Sequence, residues 1–172
     1  FEARGTPAFG LFAPSLKSNA AQVAGLLRQA APVAVVNATA FSAKGEDGTS
    51  PLDAARCPVF QVALSTARRR DWAEAARGLS PADLAMHVVL PEVDGRLFLG
   101  VVSFKSASKR DPDLQFSRFA HRADPERISA AVSRVLSHLR LAKPTKRVAL
   151  ILSTYPGRDY QIAHAVGLDA LA

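Results

Sequence analysis

The sequence predicts an α/β fold: a three-layer α/β/α arrangement around a mostly parallel sheet, with Rossmann-like or flavodoxin-like elements and a β-hairpin insertion near 87–104. Three observations lead there. Short apolar, β-prone runs alternate with stretches at helical spacing, the order from which parallel sheets are built. Strand, helix and strand succeed one another within the first 37 residues, the span of a βαβ unit. Arg147 to Ser153 (RVALILS) is nearly continuous in apolar residues, as a strand covered on both faces requires.

Taken in order, Ala8–Ala13 (AFGLFA), bounded by Pro7 and Pro14, reads as a buried strand. Ser18 is placed to cap a helix from about Asn19 to Ala30, with Val23, Leu26, Leu27 and Ala30 on one face and Pro32 beyond its end. Val33–Asn37 and Pro58–Leu64 are the next two strands. Between them, 38–57 is rich in Gly, Ser, Thr and Asp, a long connection of the kind that is usually functional or mobile. It leaves the carboxyl end of a parallel strand, where open α/β sheets bind ligands. Arg69–Arg77 reads as a short helix with Gly78 at its C′ position, and Ser80-Pro81 as a fresh helix start. His87–Leu90 (HVVL) and Leu97–Phe104 (LFLGVVSF) read as strands joined through a turn at Pro91–Gly95. Lys105–Asp113 is a basic loop, and Asp124-Pro125-Glu126 opens a helix to about Leu141, with Ile128, Val132, Val135, Leu136 and Leu139 at core-facing spacing.

Apolar residues make up 48% of the 172 and charged residues 22%, ordinary globular usage that argues against disorder or a fibrous class. The expected division is an α/β domain at 1–142 and the start of a further α/β unit at 143–172. Phe1 in place of an initiator Met, and a stop at Ala172 just after a strand-and-turn pattern, lead us to expect a piece of a longer polypeptide. No signal-peptide pattern or run of about 20 apolar residues is present, and Cys57 is the single cysteine, so a reducing cytoplasmic setting without a membrane is expected. The formal charge of +7, clustered at Arg68–Arg70 and Lys105–Arg110, suits an anionic partner, be it a polycarboxylate ligand, an acidic protein face or nucleic acid.

Chemistry is suggested at a few places. Glu92 and Asp94, two residues apart, would share one face if extended and converge on a ligand, proton or cation; alternatively Asp94-Gly95 is only a turn and Glu92 a solvated rim residue. His87 either joins Glu92 in handling a first-row divalent ion or is a structural hydrogen-bonder. Lys105 closes a strand with a cation, which suits a carboxylate or is solvated loop charge. Asn37 and Thr39 leave one strand end and Arg158 (in YPGRD) another, each able to offer polar groups to a ligand. Neither a phosphate-binding glycine loop nor a hydrolase nucleophile elbow is present. Cys57, followed by Pro58 at the start of a strand, reads as a small core residue.

The ordered succession APSLK (13–17), VNATAF (36–41), PLDAARCPVFQ (51–61), RGLSPADLAM (77–86), LPEVDG (90–95), VSFK (102–105) and RVALILSTYPGRD (147–159) resembles the large, CobN-type subunit of aerobic cobaltochelatase. The related H subunit of magnesium chelatase is similar, but the YPGRD and VGLDA segments look closer to the cobalt enzyme. The resemblance implies insertion of Co²⁺ into hydrogenobyrinic acid a,c-diamide in cobalamin synthesis. It also implies two smaller AAA+-type subunits that carry ATP and Mg²⁺, so no phosphate loop is expected on this chain. Carried over residue by residue, it implies a chelation role for Glu92, with Asp94 as a partner, and a substrate-carboxylate contact for Lys105. His87 stands where the family usually has Asn. Magnesium insertion into protoporphyrin IX, or a basic α/β binding module without enzymatic activity, are the alternatives; nucleic acid is not the expected partner.

Overall fold

A computed structural model of the chain describes residues 1–107, 119–141, 154–155 and 158–162. It divides into two compact units, 1–141 and 142–172.

In the first unit, strands β1 (Val35–Asn37), β2 (Val59–Ser65), β3 (Leu97–Ala107) and β4 (Phe119–Ala123) form a sheet in the order β1-β2-β3-β4. β1, β2 and β3 are parallel, with Asn37 beside Gln61 and Gln61 beside Phe98, while β4 runs antiparallel to β3. Alternate side chains of β2 face opposite layers. Phe60 and Val62 join Leu99 and Val102 beneath Ala131 and Val135 of the helix Pro125–Leu141. Val59 and Ala63 belong to two other clusters: one with Val23 and Leu27 of helix α1 (Ala20–Ala30), the other with Val101, Phe104, Trp72 and Leu79. Helices therefore cover both faces of a mostly parallel sheet, the predicted three-layer α/β/α class.

β3 does not keep the two-residue alternation of a regular strand. Its register against β2 shifts twice, leaving Leu99 and Val102 without direct partners, so that Phe98, Val101 and Phe104 point one way at intervals of three. Gly100, at φ +133°, permits the first bulge, in a region that L side chains rarely adopt. The carbonyls displaced by the bulges are bonded by arginines of the overlying helix: Arg127 Nε donates to Val101 O at 2.6 Å, and Arg134 donates to Leu99 O.

The predicted elements and the structure differ in several places, among them the helix begun at Arg69, which ends at Glu74 with Ala75 and not Gly78 beyond it. Ala8–Ala13 forms no strand; Phe9 and Phe12 are exposed, and the first βαβ unit is absent. The α-helical crossover between parallel strands runs from β2 to β3 and contains α2 (Arg69–Glu74), α3 (Pro81–Leu84), a π-helical turn (Ala85–Val89) and α4 (Leu90–Val93). Hence the β-hairpin insertion near 87–104 is corrected: 81–93 is unbroken right-handed helix, and only 97 onward is extended. Pro91 is the cause of the π turn rather than of a break. Its ring would collide with the carbonyl of His87 four residues back, and widening the helix there relieves the clash. β4 had no expected counterpart, and Ser18 makes no side-chain cap, the position before α1 being Asn19. The expected strand 147–153 lies outside the described residues.

The last helix of this unit, α5 (Pro125–Leu141), has the predicted extent. Among the described residues no helix is long and apolar enough to cross a membrane. In the second unit, β5 (Thr154–Tyr155) and β6 (Arg158–Ile162) pair antiparallel.

Candidate functional site

The long connection after β1 is not free. It lies against the helical run 81–93 and is fastened there by hydrogen bonds along its length. Phe41 N donates to Met86 O at 2.8 Å, and Lys44 Nζ to Val93 O at 3.2 Å. Between them, Ser42 Oγ donates to Asp94 Oδ1 at 2.6 Å and Ala43 N to Asp94 Oδ2 at 2.7 Å. Further on, the connection closes with a reciprocal cap, in which Ser50 N donates to Asp53 Oδ2 and Leu52 N to Ser50 Oγ, opening a 3-10 turn at Pro51–Ala55.

Beneath this clamp runs a buried polar chain. Arg96 donates to Asp94 Oδ2 at 2.9 Å and to Gln61 Oε1 at 3.2 Å, and the Asp94 and Arg96 side chains are only 1% and 2% exposed. Gln61 Oε1 also accepts from Asn37 Nδ2 at 2.7 Å, while Gln61 Nε2 donates to Thr39 O at 3.0 Å. Thr39 Oγ1 donates to Asn37 Oδ1 at 3.1 Å. Burial pushes the Arg96 guanidinium below its ordinary value, opposed by Asp94 and Asp53. Arg96 Nε has no partner. Arg96 also lines, with Asp53, Asp94 and Cys57, a cavity of about 230 Å³.

The expected convergence of Glu92 and Asp94 is therefore corrected. Glu92 sits in a helical turn, not an extended one, and is exposed, whereas Asp94 just beyond the helix turns inward to Arg96. Asn37 and Thr39 are brought together, with Asp94, in the buried chain, where their side-chain polar atoms bond one another, Gln61 and the backbone. Gln61 and Arg96 were not singled out from the sequence. A polar Gln within the apolar run VFQVALS, with burial on both faces, was the available signal.

His87, on the π turn, is buried, and its Nδ1 has no hydrogen-bond partner. Burial holds its imidazole below the ordinary value; Asp83 pulls the other way and His121 adds to the lowering. Asp83 itself is fully buried and accepts from Ser65 Oγ and from Thr66 N and Oγ1, tying the start of α3 to the carboxyl end of β2. Lys105 is half-buried near the end of β3, its N–H bonded to Ala67 O. Arg158 begins β6 in the second unit. Cys57 is half-buried and its thiol is pushed up by burial, as befits a packed residue rather than a nucleophile. Among the described residues no group of three or more His, Cys, Asp and Glu side chains is placed to hold a metal ion.

What the clamp leaves outside is an apolar surface around one acid. Met86 is half-buried; Val89, Leu90 and Val93 are 48%, 37% and 49% exposed, and all four recur at helical spacing. Phe41, 56% exposed, stands on the loop beside them at φ +68°, a left-handed conformation that costs a non-Gly residue about 1–2 kcal/mol. The Glu92 side chain makes no ion pair or hydrogen bond among the described residues.

The family model described as CobN/Magnesium Chelatase matches residues 1–172. The chain belongs to the CobN/magnesium chelatase family. It is 36% identical, over 99% of its length, to the aerobic cobaltochelatase subunit CobN of Sinorhizobium sp., and 38% identical, over 92%, to that of Pseudomonas aeruginosa. It spans only 14% and 13% of those relatives. An uncharacterized protein, MJ0908 of Methanocaldococcus jannaschii, is 31% identical over 66% of the chain. Among solved structures, the catalytic subunit of cobaltochelatase from Mycobacterium tuberculosis superposes with a TM-score of 0.55 at 27% identity, covering 89% of this chain and 16% of that one.

Proposed function

We propose that this chain supplies part of the macrocycle-handling surface of a cytoplasmic cobaltochelatase large subunit. The reaction is insertion of Co²⁺, the substrate metal, into hydrogenobyrinic acid a,c-diamide. ATP and Mg²⁺ act on two smaller AAA+-type partner subunits. Membership of the family and likeness to cobaltochelatase subunits support the reaction class. The observation that carries the site is Glu92: an exposed carboxylate on an otherwise apolar helix face, beside the loop that follows β1.

Each ring N–H that gives way to an N–Co bond releases a proton, and the ion must shed water as it enters. A carboxylate over the face of the ring, near its centre, accepts that proton or holds the partly dehydrated ion. Glu92 has this role in the proposal, and Asp94 is reassigned from chemistry to anchoring. Lys105 remains a proposed cation for an acidic side arm of the substrate. In the assembled enzyme, Glu92→Gln is expected to reduce cobalt insertion by a factor of about 10²–10⁴, the range lost with a general base, while corrinoid binding to the full subunit changes little. Insertion at the wild-type rate removes Glu92 from the reaction.

A further inference from the structure

The geometry points to Gln61 and Arg96 as positioning residues for cobalt insertion: from within the sheet they fix the turn that carries Glu92 and the loop beside it. This inference rests on the proposed role of Glu92 and adds to it the residues that hold that carboxylate in place.

Three features converge. Gln61 is fully buried within the apolar run VFQVAL, yet its amide is completely bonded. Its Oε1 accepts from Asn37 Nδ2 and Arg96 Nη1, and its Nε2 donates to Thr39 O and Val62 O, both at 3.0 Å. Arg96 forks, giving Nη1 to Gln61 and Nη2 to Asp94; its Nε finds no partner among the described residues, so these two bonds orient the guanidinium. Asp94 in turn holds Ser42 Oγ and Ala43 N, and it begins the tight turn in which Gly95 N donates to Glu92 O at 2.8 Å and Arg96 N to Pro91 O at 3.1 Å. One chain of bonds therefore ties β2 both to the loop at 42–43 and to the end of the helical turn that bears Glu92.

Packing alone does not require these groups. An apolar side chain of similar volume fills a buried position without desolvating an amide, and replacing a buried ion pair by apolar residues is often neutral or stabilising. What the polar chain adds is direction: each bond has a fixed partner, so the turn after Val93 has one placement relative to the sheet. A carboxylate that must meet a ring proton or a partly dehydrated ion depends on such placement, since a shift of about 1 Å can lower a rate by about a hundredfold. Gln61 and Arg96 are themselves buried, out of reach of a substrate, and act through Glu92.

The test measures cobalt insertion into hydrogenobyrinic acid a,c-diamide by the full-length subunit with its partner subunits, alongside corrinoid Kd from absorbance. Gln61→Met keeps the length of the side chain and removes the amide; Arg96→Lys keeps the charge beside Asp94 but cannot fork. Each is expected to slow insertion at saturating corrinoid by about ten- to a hundredfold, with Kd little changed. Combined with Glu92→Gln, neither is expected to slow the reaction further, because the path through Glu92 is already lost. Insertion at the wild-type rate in either single variant overturns the inference. So does a double variant slowed by the same factor as the single one, or a Kd that weakens in step with the rate, since each marks a purely structural role. If Glu92→Gln alone inserts cobalt at the wild-type rate, the proposed role of Glu92 itself fails, which is a distinguishable result.

Discussion

Asp94→Asn removes one charge from the buried pair and leaves the other. The Arg96 guanidinium is 2% exposed and already lacks a partner at Nε, so its charge depends on the Asp94 carboxylate. The two acceptor oxygens that serve Ser42, Ala43 and Arg96 are reduced to one, with an amide NH₂ set against one of these donors. Breaking a buried pair from one side costs about 3–5 kcal/mol. Because Asp94 bonds the 42–43 backbone and side chain, much of that cost falls on the closed state of the loop. A 3 kcal/mol loss accelerates opening-limited amide exchange by about a hundredfold. Hydrogen–deuterium exchange on peptides covering 38–44 of the full subunit reads this directly. The double variant Asp94→Leu with Arg96→Met removes both charges and is expected to restore much of the protection of the β2–β3 region, though not the Ser42 bond. Exchange at 38–44 indistinguishable from wild type in Asp94→Asn would show that the ion pair does not hold the loop.

Two predictions concern the scaffold. An unfolded His titrates near 6.5, whereas burial keeps His87 neutral to lower pH in the folded state. Its contribution is complete above 6.5 and is lost as pH falls through the lower folded value, because the unfolded chain then binds the extra proton. His87→Asn is therefore expected to flatten the decline in thermal midpoint between about pH 7 and 5; parallel profiles for variant and wild type would contradict the burial argument. Gly100→Ala places a Cβ on a backbone at φ +133° and is expected to destabilise by about 1–3 kcal/mol, seen as a lower thermal midpoint; an unchanged midpoint would mean that the β3 bulge relaxes freely.

The layers of the fold were legible because they depend on apolar spacing. Val23 and Leu27 in α1, and Val132 and Val135 in α5, are buried where their periodicity placed them, whereas Leu26 and Ile128, read on the same faces, are each 39% exposed. The errors arose where local preference and tertiary context part company. AFGLFA is as apolar as a strand, yet Phe9 and Phe12 are exposed, so composition alone did not supply a pairing partner. HVVL has β-branched residues next to a proline, a pattern that reads as extended; burial of His87 and Val88 on the inner face of the helical run, with one π turn to accommodate Pro91, overrides it. For the site, the LPE motif drew attention to the right segment. Its geometry was not legible, because the inward turn of Asp94 depends on Arg96 and Gln61, which meet only after folding. Phe41 was inconspicuous for the same reason: neither a left-handed φ nor exposure is visible in VNATAF.

A structure of the full-length subunit with metal-free hydrogenobyrinic acid a,c-diamide bound bears most directly on Glu92. Its carboxylate is expected over the ring face, within hydrogen-bond reach of a ring nitrogen, about 3 Å, or one water away. A corrinoid seated elsewhere, with Glu92 still open to solvent or covered by another part of the protein, would contradict the assignment.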